Sequence, residues 1–354
     1  MEDLVIDSTF WTGRRVFLTG HTGFKGSWLA LWLSNMGAQV HGYALAPLKP
    51  GVFESARLDE VIAGHTVGDL RDTARLSECL QEVQPEVVFH LAAQPLVRYS
   101  YREPVETYMV NVMGTVHLLE AVRTCESVRV VVNITTDKCY ENREWVWGYR
   151  ECEPMGGRDP YSSSKACAEL VTAAYRDSFF EKRGLSVATA RAGNVIGGGD
   201  WGTDRLLPDF FRANRNGQEL GVRYPEATRP WQHVLEPLCG YLILAQHLHA
   251  SSGEFSEGWN FGPSDEDAKT VRWILTRMTE LMPGTRWRQL ESNLLHEAGY
   301  LKLDSSKARS RLRWRPKWGI TTALRKTVEW YEAEFAGADM QAFCLKQIAE
   351  HRAG

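Results

Sequence analysis

Two short runs carry residue types able to do chemistry: Thr135-Thr136-Asp137-Lys138-Cys139-Tyr140 and Tyr161-Ser162-Ser163-Ser164-Lys165. A tyrosine and a lysine four apart share one face of a helix. A tyrosine hydroxyl titrates near pH 10 and is a poor base at neutrality. A neighbouring ammonium favours the phenolate, and lowering the pKa by about three takes roughly 4 kcal/mol. Tyr161 can then accept a hydroxyl proton while a hydride leaves the same carbon, with Lys165 beside it and Thr136 sharing the hydroxyl's hydrogen bond. Tyr-x-x-x-Lys also arises by chance, as a helix residue with its hydroxyl at the surface, so position must decide.

Asp137 and Lys138 add a second kind of chemistry. Asp137 is an acid only when protonated, which needs a pKa raised by burial. Lys138 is a base only when neutral, well below its ordinary value near 10.4. Burial and the nearby Lys165 push it that way; otherwise it stays charged and stabilises an enolate, leaving the base unassigned. The bland alternative is a surface Asp–Lys pair at a strand end. Both sets together fit a chain that oxidises a substrate, eliminates something from it, and reduces it again.

The elements that must hold these residues alternate. Strands are expected at Arg15–Thr19, Gln39–Leu45, Thr66–Leu70, Glu86–Leu91, Val128–Ile134 and Leu185–Arg191, and helices at Phe24–Met36, Pro104–Arg123 and Pro160–Phe180. Such alternation predicts an α/β fold, a Rossmann-type doubly wound parallel sheet with helices on both faces. Thr19-Gly20-His21-Thr22-Gly23-Phe24-Lys25-Gly26 falls between the first strand and the first helix. Glycine there lets the backbone turn sharply and approach a pyrophosphate, and the helix offers its N–H groups to the anion. The spacing is G-x-x-G-x-x-G rather than G-x-G-x-x-G. A plain packing turn is the alternative, but the position favours dinucleotide binding. Asp69 and Leu70, then Leu91, Ala92 and Ala93, close the third and fourth strands where a dinucleotide would lie. His41-Gly42-Tyr43-Ala44-Leu45-Ala46-Pro47 offers neither the ribose-binding acid nor an arginine, so NAD and NADP are not separated.

Past Arg191 the alternation breaks. Gly193–Gly202 holds five glycines and cannot be a regular element. A helix at His233–Leu248 returns to the sheet, and Thr321–Phe335 is amphipathic. Two regions are expected: residues 1–192 plus 233–260 for the dinucleotide, and a smaller discontinuous α+β substrate-binding region from 193–232 plus 261–354.

Lys+Arg 41 against Asp+Glu 44 gives a net charge of −3, which excludes a general attraction to nucleic acid or anionic membrane. Arg309–Lys317 is a local basic cluster, read as a solvated helix end. Seven scattered cysteines include no C-x-x-C pair, so no metal site is expected and reduced thiols in the cytoplasm are. Met1–Trp11 lacks the pattern of a secretory leader, and no apolar run is long enough to span a membrane.

The motifs TGxxGFxG, HLAAQ, Thr-Thr-Asp and YxxxK, with Arg191-Ala-Gly-Asn-Val-Ile-Gly, Leu303-Asp304-x-x-Lys307 and Leu312-Arg-Trp314-x-Pro316, resemble those of the extended short-chain dehydrogenase/reductases of the nucleotide-sugar group. The resemblance covers nearly the whole chain. His21, Lys25, Asp137–Tyr140, Gly197–Trp201 and Arg229–Val234 are most similar to its 4,6-dehydratases. It implies NAD, regenerated within each cycle, and a nucleotide-sugar substrate. It also implies C4 oxidation by Thr136, Tyr161 and Lys165, loss of the C6 hydroxyl with Asp137 as acid, and hydride return to C6. Relatives usually carry Glu where this chain has Lys138, which leaves the C5 base in doubt. A positive nicotinamide would further favour the Tyr161 phenolate. Thr135 joins the cofactor residues, and Gln94, Asn194, Trp201, Arg205, Arg229 and Trp231 are candidates for the nucleotide sugar, arginine matching phosphate oxygens in pairs. An epimerase of the same fold has no need of Asp137-Lys138, and a cofactor-sensing binding protein would be free to lose Tyr161 or Lys165. The helices Pro104–Arg123 and Pro160–Phe180 resemble a four-helix dimer interface, implying a homodimer or a dimer of dimers, and the product would feed deoxysugars into bacterial surface polysaccharide.

Overall fold

The computed structural model describes residues 6–251, 253–291 and 298–354. Residues 1–5, part of the stretch read for a leader, lie outside the described residues. In chain order the strands are β1 (Arg15–Thr19), β2 (Gln39–Ala44), β3 (Gly64–Val67), β4 (Val87–His90), β5 (Val130–Ile134), β6 (Ser186–Ala192), β7 (Asn194–Ile196), β8 (Leu220–Val222), β9 (Thr228–His233), β10 (Gly258–Phe261), β11 (Ala268–Thr270) and β12 (Trp287–Gln289).

Seven of them form one parallel sheet in the order β10-β6-β5-β4-β1-β2-β3, the Rossmann-type arrangement expected. Its central strands are buried on both faces, where helices cover them; all five residues of β5 and all seven of β6 are buried. The sheet is one strand wider than the sequence reading. Gly258–Phe261 pairs with β6 and extends the edge. The third strand also lies earlier than Thr66–Leu70, because the chain turns away at Gly68, where a Cβ would collide with the Tyr43 ring at 2.4 Å.

The helix Thr73–Val83, absent from the sequence reading, is capped by Asp72, whose carboxylate accepts from Arg75 N. Both long helices expected from the sequence form, and each contains a π turn, Met109–Met113 in one and Arg176–Phe180 in the other. The first π turn has a visible partner. Asn111, buried within it, accepts from Gln94 N at 2.8 Å and donates to Ser164 Oγ at 2.9 Å, tying that helix to the one carrying Tyr161.

Beyond β6 lie a three-stranded sheet, β11-β9-β7, and a pair, β12-β8. The largest apolar cluster runs from Val16 and Trp28 through Trp259 to Trp330 and Ile348, so the small sheets and the C-terminal helices Ile320–Phe335 and Met340–Ala353 share a core with the main sheet. Among the described residues no helix is long and apolar enough to cross a membrane, and no cluster of three or more His, Cys, Asp or Glu residues is placed to hold a metal.

Candidate active site

The C-terminal ends of β1, β4, β5 and β6 open onto one cleft of about 1390 Å³. A single small-molecule pocket runs from about 300 to 1,000 Å³, so this cleft has room for a dinucleotide and a second ligand. The turn after β1 passes through Gly20 at φ 76°. A Cβ on Gly20 would stand 2.6 Å from Ala92 N, and one on Gly26 would stand 2.1 Å from Gly20 O. Only glycine permits so close an approach of turn, helix and β4. Gly23 begins the helix Phe24–Asn35 with no side-chain cap, which leaves its first N–H groups to the cleft. These features fit a dinucleotide's pyrophosphate.

Most of the residues expected from the sequence line this cleft. Gly20, Thr22, Gly23, Phe24, Lys25 and Gly26 do so, as do Asp69, Leu70, Leu91, Ala92 and Ala93. Thr135, Thr136, Lys138, Tyr161 and Lys165 line it, and so do Asn194, Trp201, Arg205, Arg229 and Trp231.

Three expected residues do not line it. His21 is fully buried beneath the glycine turn, where it shares a 2.6 Å hydrogen bond with His65 and packs against Gly42. Burial and the neighbouring His65 push its pKa down to about 3, so it offers the cleft no charge. Gln94 turns inward: its amide nitrogen donates to Thr107 Oγ1 at 2.8 Å and its oxygen accepts from Leu96 N at 2.5 Å. Asp137 is 2% exposed, set between Thr136 and Lys138, which do line the cleft. Its Oδ1 accepts from Thr136 Oγ1 at 2.9 Å, while Oδ2 finds no partner among the described residues.

The electrostatics separate the two carboxyl and phenol roles. Burial pushes the Asp137 carboxyl up, opposed by Lys138, the Thr136 hydroxyl, Arg229 and Lys25. Burial likewise pushes the Tyr161 phenol up to about 12, against a hydrogen bond with Thr136 that lowers it. That is opposite in sign to the expectation of a lowered value. Desolvation is the largest cause, Asp137 and Asp159 add to it, and Arg205 opposes it, while Lys165 directs its ammonium to Ile134 O at 3.3 Å. Lys165 itself is brought down to about 8 by burial and by Lys25.

Lys25 lines the cleft, and its charge is felt at Asp137. Burial brings it down to about 8, with Arg205 lowering it further and Asp137 and Asp200 holding it up. Its place in the glycine loop pointed to the cofactor, and only the fold brings β1's turn against the Asp137 segment.

At the far end of the cleft the loop Gly197–Trp201 lies against the helix Ile320–Phe335. Trp201 meets the Tyr331 ring edge-on at 5.0 Å, and Tyr331 donates to Asp200 O at 2.5 Å. Arg205 gives both carboxylate oxygens of Asp200 a hydrogen bond, at 2.9 and 2.8 Å, so its guanidinium is pre-set. Trp231 donates to Lys269 O at 2.9 Å, fixing β9 to β11. Arg212, Arg215 and Arg223 also line this end and were missed from the sequence. The i, i+3 spacing of Arg212 and Arg215 on the helix Leu206–Arg215 was the available signal. Lys49 pairs with Glu54 at 2.9 Å and is largely exposed.

Known proteins share this architecture. A relative from Salmonella typhimurium, CDP-glucose 4,6-dehydratase, is 56% identical over 98% of this chain and 98% of its own. The solved structure of MoeE5 in complex with UDP-glucose and NAD superposes with a TM-score of 0.76 at 25% identity, covering 90% of this chain and 99% of that one. The dTDP-glucose 4,6-dehydratase of Bacillus anthracis in complex with NAD does so with a TM-score of 0.78 at 21% identity, over 93% of this chain and 100% of that one. Residues 17–327 match the model of a family described as GDP-mannose 4,6 dehydratase. That span holds the glycine turn, the Thr135–Tyr140 segment and the Tyr161–Lys165 helix together, and the chain belongs to this family of nucleotide-sugar dehydratases.

Proposed function

We propose that the chain is a CDP-D-glucose 4,6-dehydratase, converting CDP-glucose to CDP-4-keto-6-deoxyglucose and water. The observation that carries the reading is the meeting of two acid–base sets at the end of β5. Thr136 hydrogen-bonds Asp137 and reaches Tyr161, so one hydroxyl joins the hydride set to the elimination set. The likeness to the Salmonella enzyme supports cytosine as the base.

NAD fits the glycine turn, with Gly20, Gly23, Gly26, Leu91, Ala92 and Ala93 around it, and when bound supplies the acceptor for the C4 hydride that is later returned to C6, together with a ring charge that favours the Tyr161 phenolate. Tyr161 takes the proton of the C4 hydroxyl while Thr136 holds the same oxygen and Lys165 lends positive charge. The resulting ketone acidifies the C5 proton. Lys138 serves at C5, as the base that takes this proton when neutral or as the charge that stabilises the enolate, and the proton removed is restored to C5 when the hydride comes back to C6. Asp137, whose pKa burial raises, gives its proton to the C6 hydroxyl as the C6–O bond breaks, and water leaves. No external oxidant or reductant is consumed.

Arg205, Arg229, Trp231, Asn194 and Trp201 would hold the nucleotide diphosphate, arginine's fork suiting paired phosphate oxygens. The enzyme is a cytoplasmic homodimer in this reading, and its product supplies deoxysugars for bacterial surface polysaccharide such as the lipopolysaccharide O-antigen.

Mass spectrometry tests the proposal. Purified protein given CDP-glucose should yield a species lighter by one water. An unchanged substrate, with dTDP-glucose or GDP-mannose dehydrated instead, would reject CDP-glucose. An isobaric product would indicate an epimerase.

A further inference from the structure

The segment that carries Asp137 and Lys138 is held at both ends by one buried ion pair. Arg191, on β6, donates from Nε and Nη2 to the two carboxylate oxygens of Glu169 at 2.9 and 2.7 Å, and both side chains are almost wholly buried. At one end, Thr135 donates its hydroxyl to Glu169. At the other, Arg191 Nη1 donates to the Tyr140 hydroxyl at 2.7 Å, and that hydroxyl donates to Asn260 Oδ1 at 2.7 Å. Thr189 adds a bond to Glu169 at 2.6 Å. Burial alone would push the Glu169 carboxyl up, yet Arg191 and these hydroxyls hold it below the usual carboxylate range.

Glu169 stands one helical turn beyond Lys165 and two beyond Tyr161, on the same helix Pro160–Tyr175. The pair therefore ties the segment Thr135–Tyr140 to the helix that presents the hydride residues. A buried ion pair is a poor device for stability, since an apolar replacement of like volume is often neutral or better. Fixing one element against another is its best-attested use.

We propose that Glu169 and Arg191, acting through Thr135 and Tyr140, are positioning residues for the elimination half-reaction: they set Asp137 and Lys138 at the correct height against Tyr161 and Lys165. The inference rests on the proposed dehydration of CDP-glucose. Neither residue touches the cleft. Their effect is to hold the acid within the short distances that proton transfer requires, where a displacement of about 1 Å can cost a hundredfold in rate.

Removing Arg191 outright risks the fold, so the test uses Tyr140→Phe, which deletes one hydroxyl, and Glu169→Gln, which keeps the shape. The expected result for Tyr140→Phe is a folded protein of lowered melting temperature, because Asn260 Oδ1 loses its donor, with a KM for CDP-glucose close to that of wild type and kcat lowered on the order of tenfold. Reduced cofactor should build up during turnover, seen by its near-ultraviolet absorbance, because C4 oxidation outruns loss of water. Glu169→Gln should show the same build-up more strongly. A kcat equal to wild type, or a fall in kcat without build-up of reduced cofactor, overturns the inference while leaving the proposed function intact. A wild-type protein inactive on CDP-glucose overturns both.

Discussion

Asp137 is the residue in which chemistry and stability oppose each other. Its carboxyl is buried, one oxygen lacks a partner among the described residues, and its pKa is raised by burial against the pull of Lys138, Thr136, Arg229 and Lys25. A carboxyl whose folded pKa lies above the unfolded one binds the extra proton in the folded state. Stability then falls as pH rises from the ordinary carboxylate value through the raised one. Asp137→Asn removes that titration. The variant should melt above wild type, with the gap widening as pH is raised across this window. Turnover should fall by a factor of about 10² to 10⁴, the range for losing a general acid, while C4 oxidation is slowed far less. Calorimetry across pH and single-turnover absorbance check the two halves; a melting difference independent of pH would show that Asp137 is not held protonated.

Single elements were read from the sequence with uneven success, and the reasons are physical. β1, β5 and β6 are rich in buried β-branched and small residues, and they appear within about two residues of expectation. Gly258–Phe261 has only four residues and becomes a strand by docking on β6, where Trp259 and Phe261 are wholly buried; no local signal marks it. The π turns were equally hidden, because the apolar spacing of both helices reads as plain α. The site was legible where one element supplies neighbouring residues, as with Tyr161 and Lys165, and poorly legible where β-strand ends converge, as with Lys25 beside Asp137. His21 misled because a histidine in a glycine turn resembles a ligand, whereas only the β2–β3 pairing places His65 beneath it. The glycine turn itself makes a sharp test. A Cβ on Gly26 would meet backbone atoms of Gly20 and His21 at 2.1 to 2.8 Å, and backbone cannot swing aside as a side chain can. Gly26→Ala should cost about 1–3 kcal/mol in stability and sharply weaken NAD binding, read by calorimetric titration. Unaltered affinity would remove the turn from the cofactor site.

At the scale of the whole molecule, the two long helices leave an apolar stripe in water. Val105, Met109 and Met113 recur every four residues, which places them along one side of the helical stretch 104–124, and all are exposed, Val105 at 75%. Leu170 and Phe179 are exposed on the companion helix and its π turn, Leu170 at 59%. The two helices are bound to each other through Asn111 and Ser164, and through the Tyr108 and Ser163 hydroxyls at 2.5 Å, so the stripe is presented by a rigid pair. Apolar side chains exposed in this way suit an association surface, and we propose that two such pairs lie together as a four-helix interface whose symmetry closes with two copies. The helix Pro160–Tyr175 carries Tyr161, Lys165 and Glu169, so pairing would stiffen the scaffold of the site. Light scattering at micromolar concentration should therefore give twice the chain's mass. Leu170→Arg together with Met109→Arg should halve it, because desolvating two guanidinium groups within a face of roughly 800 Å² per partner costs more than the contact returns. The monomeric double variant should still bind CDP-glucose. A wild-type protein that stays monomeric would mean that the stripe serves some other contact, and a double variant that stays dimeric would place the interface elsewhere.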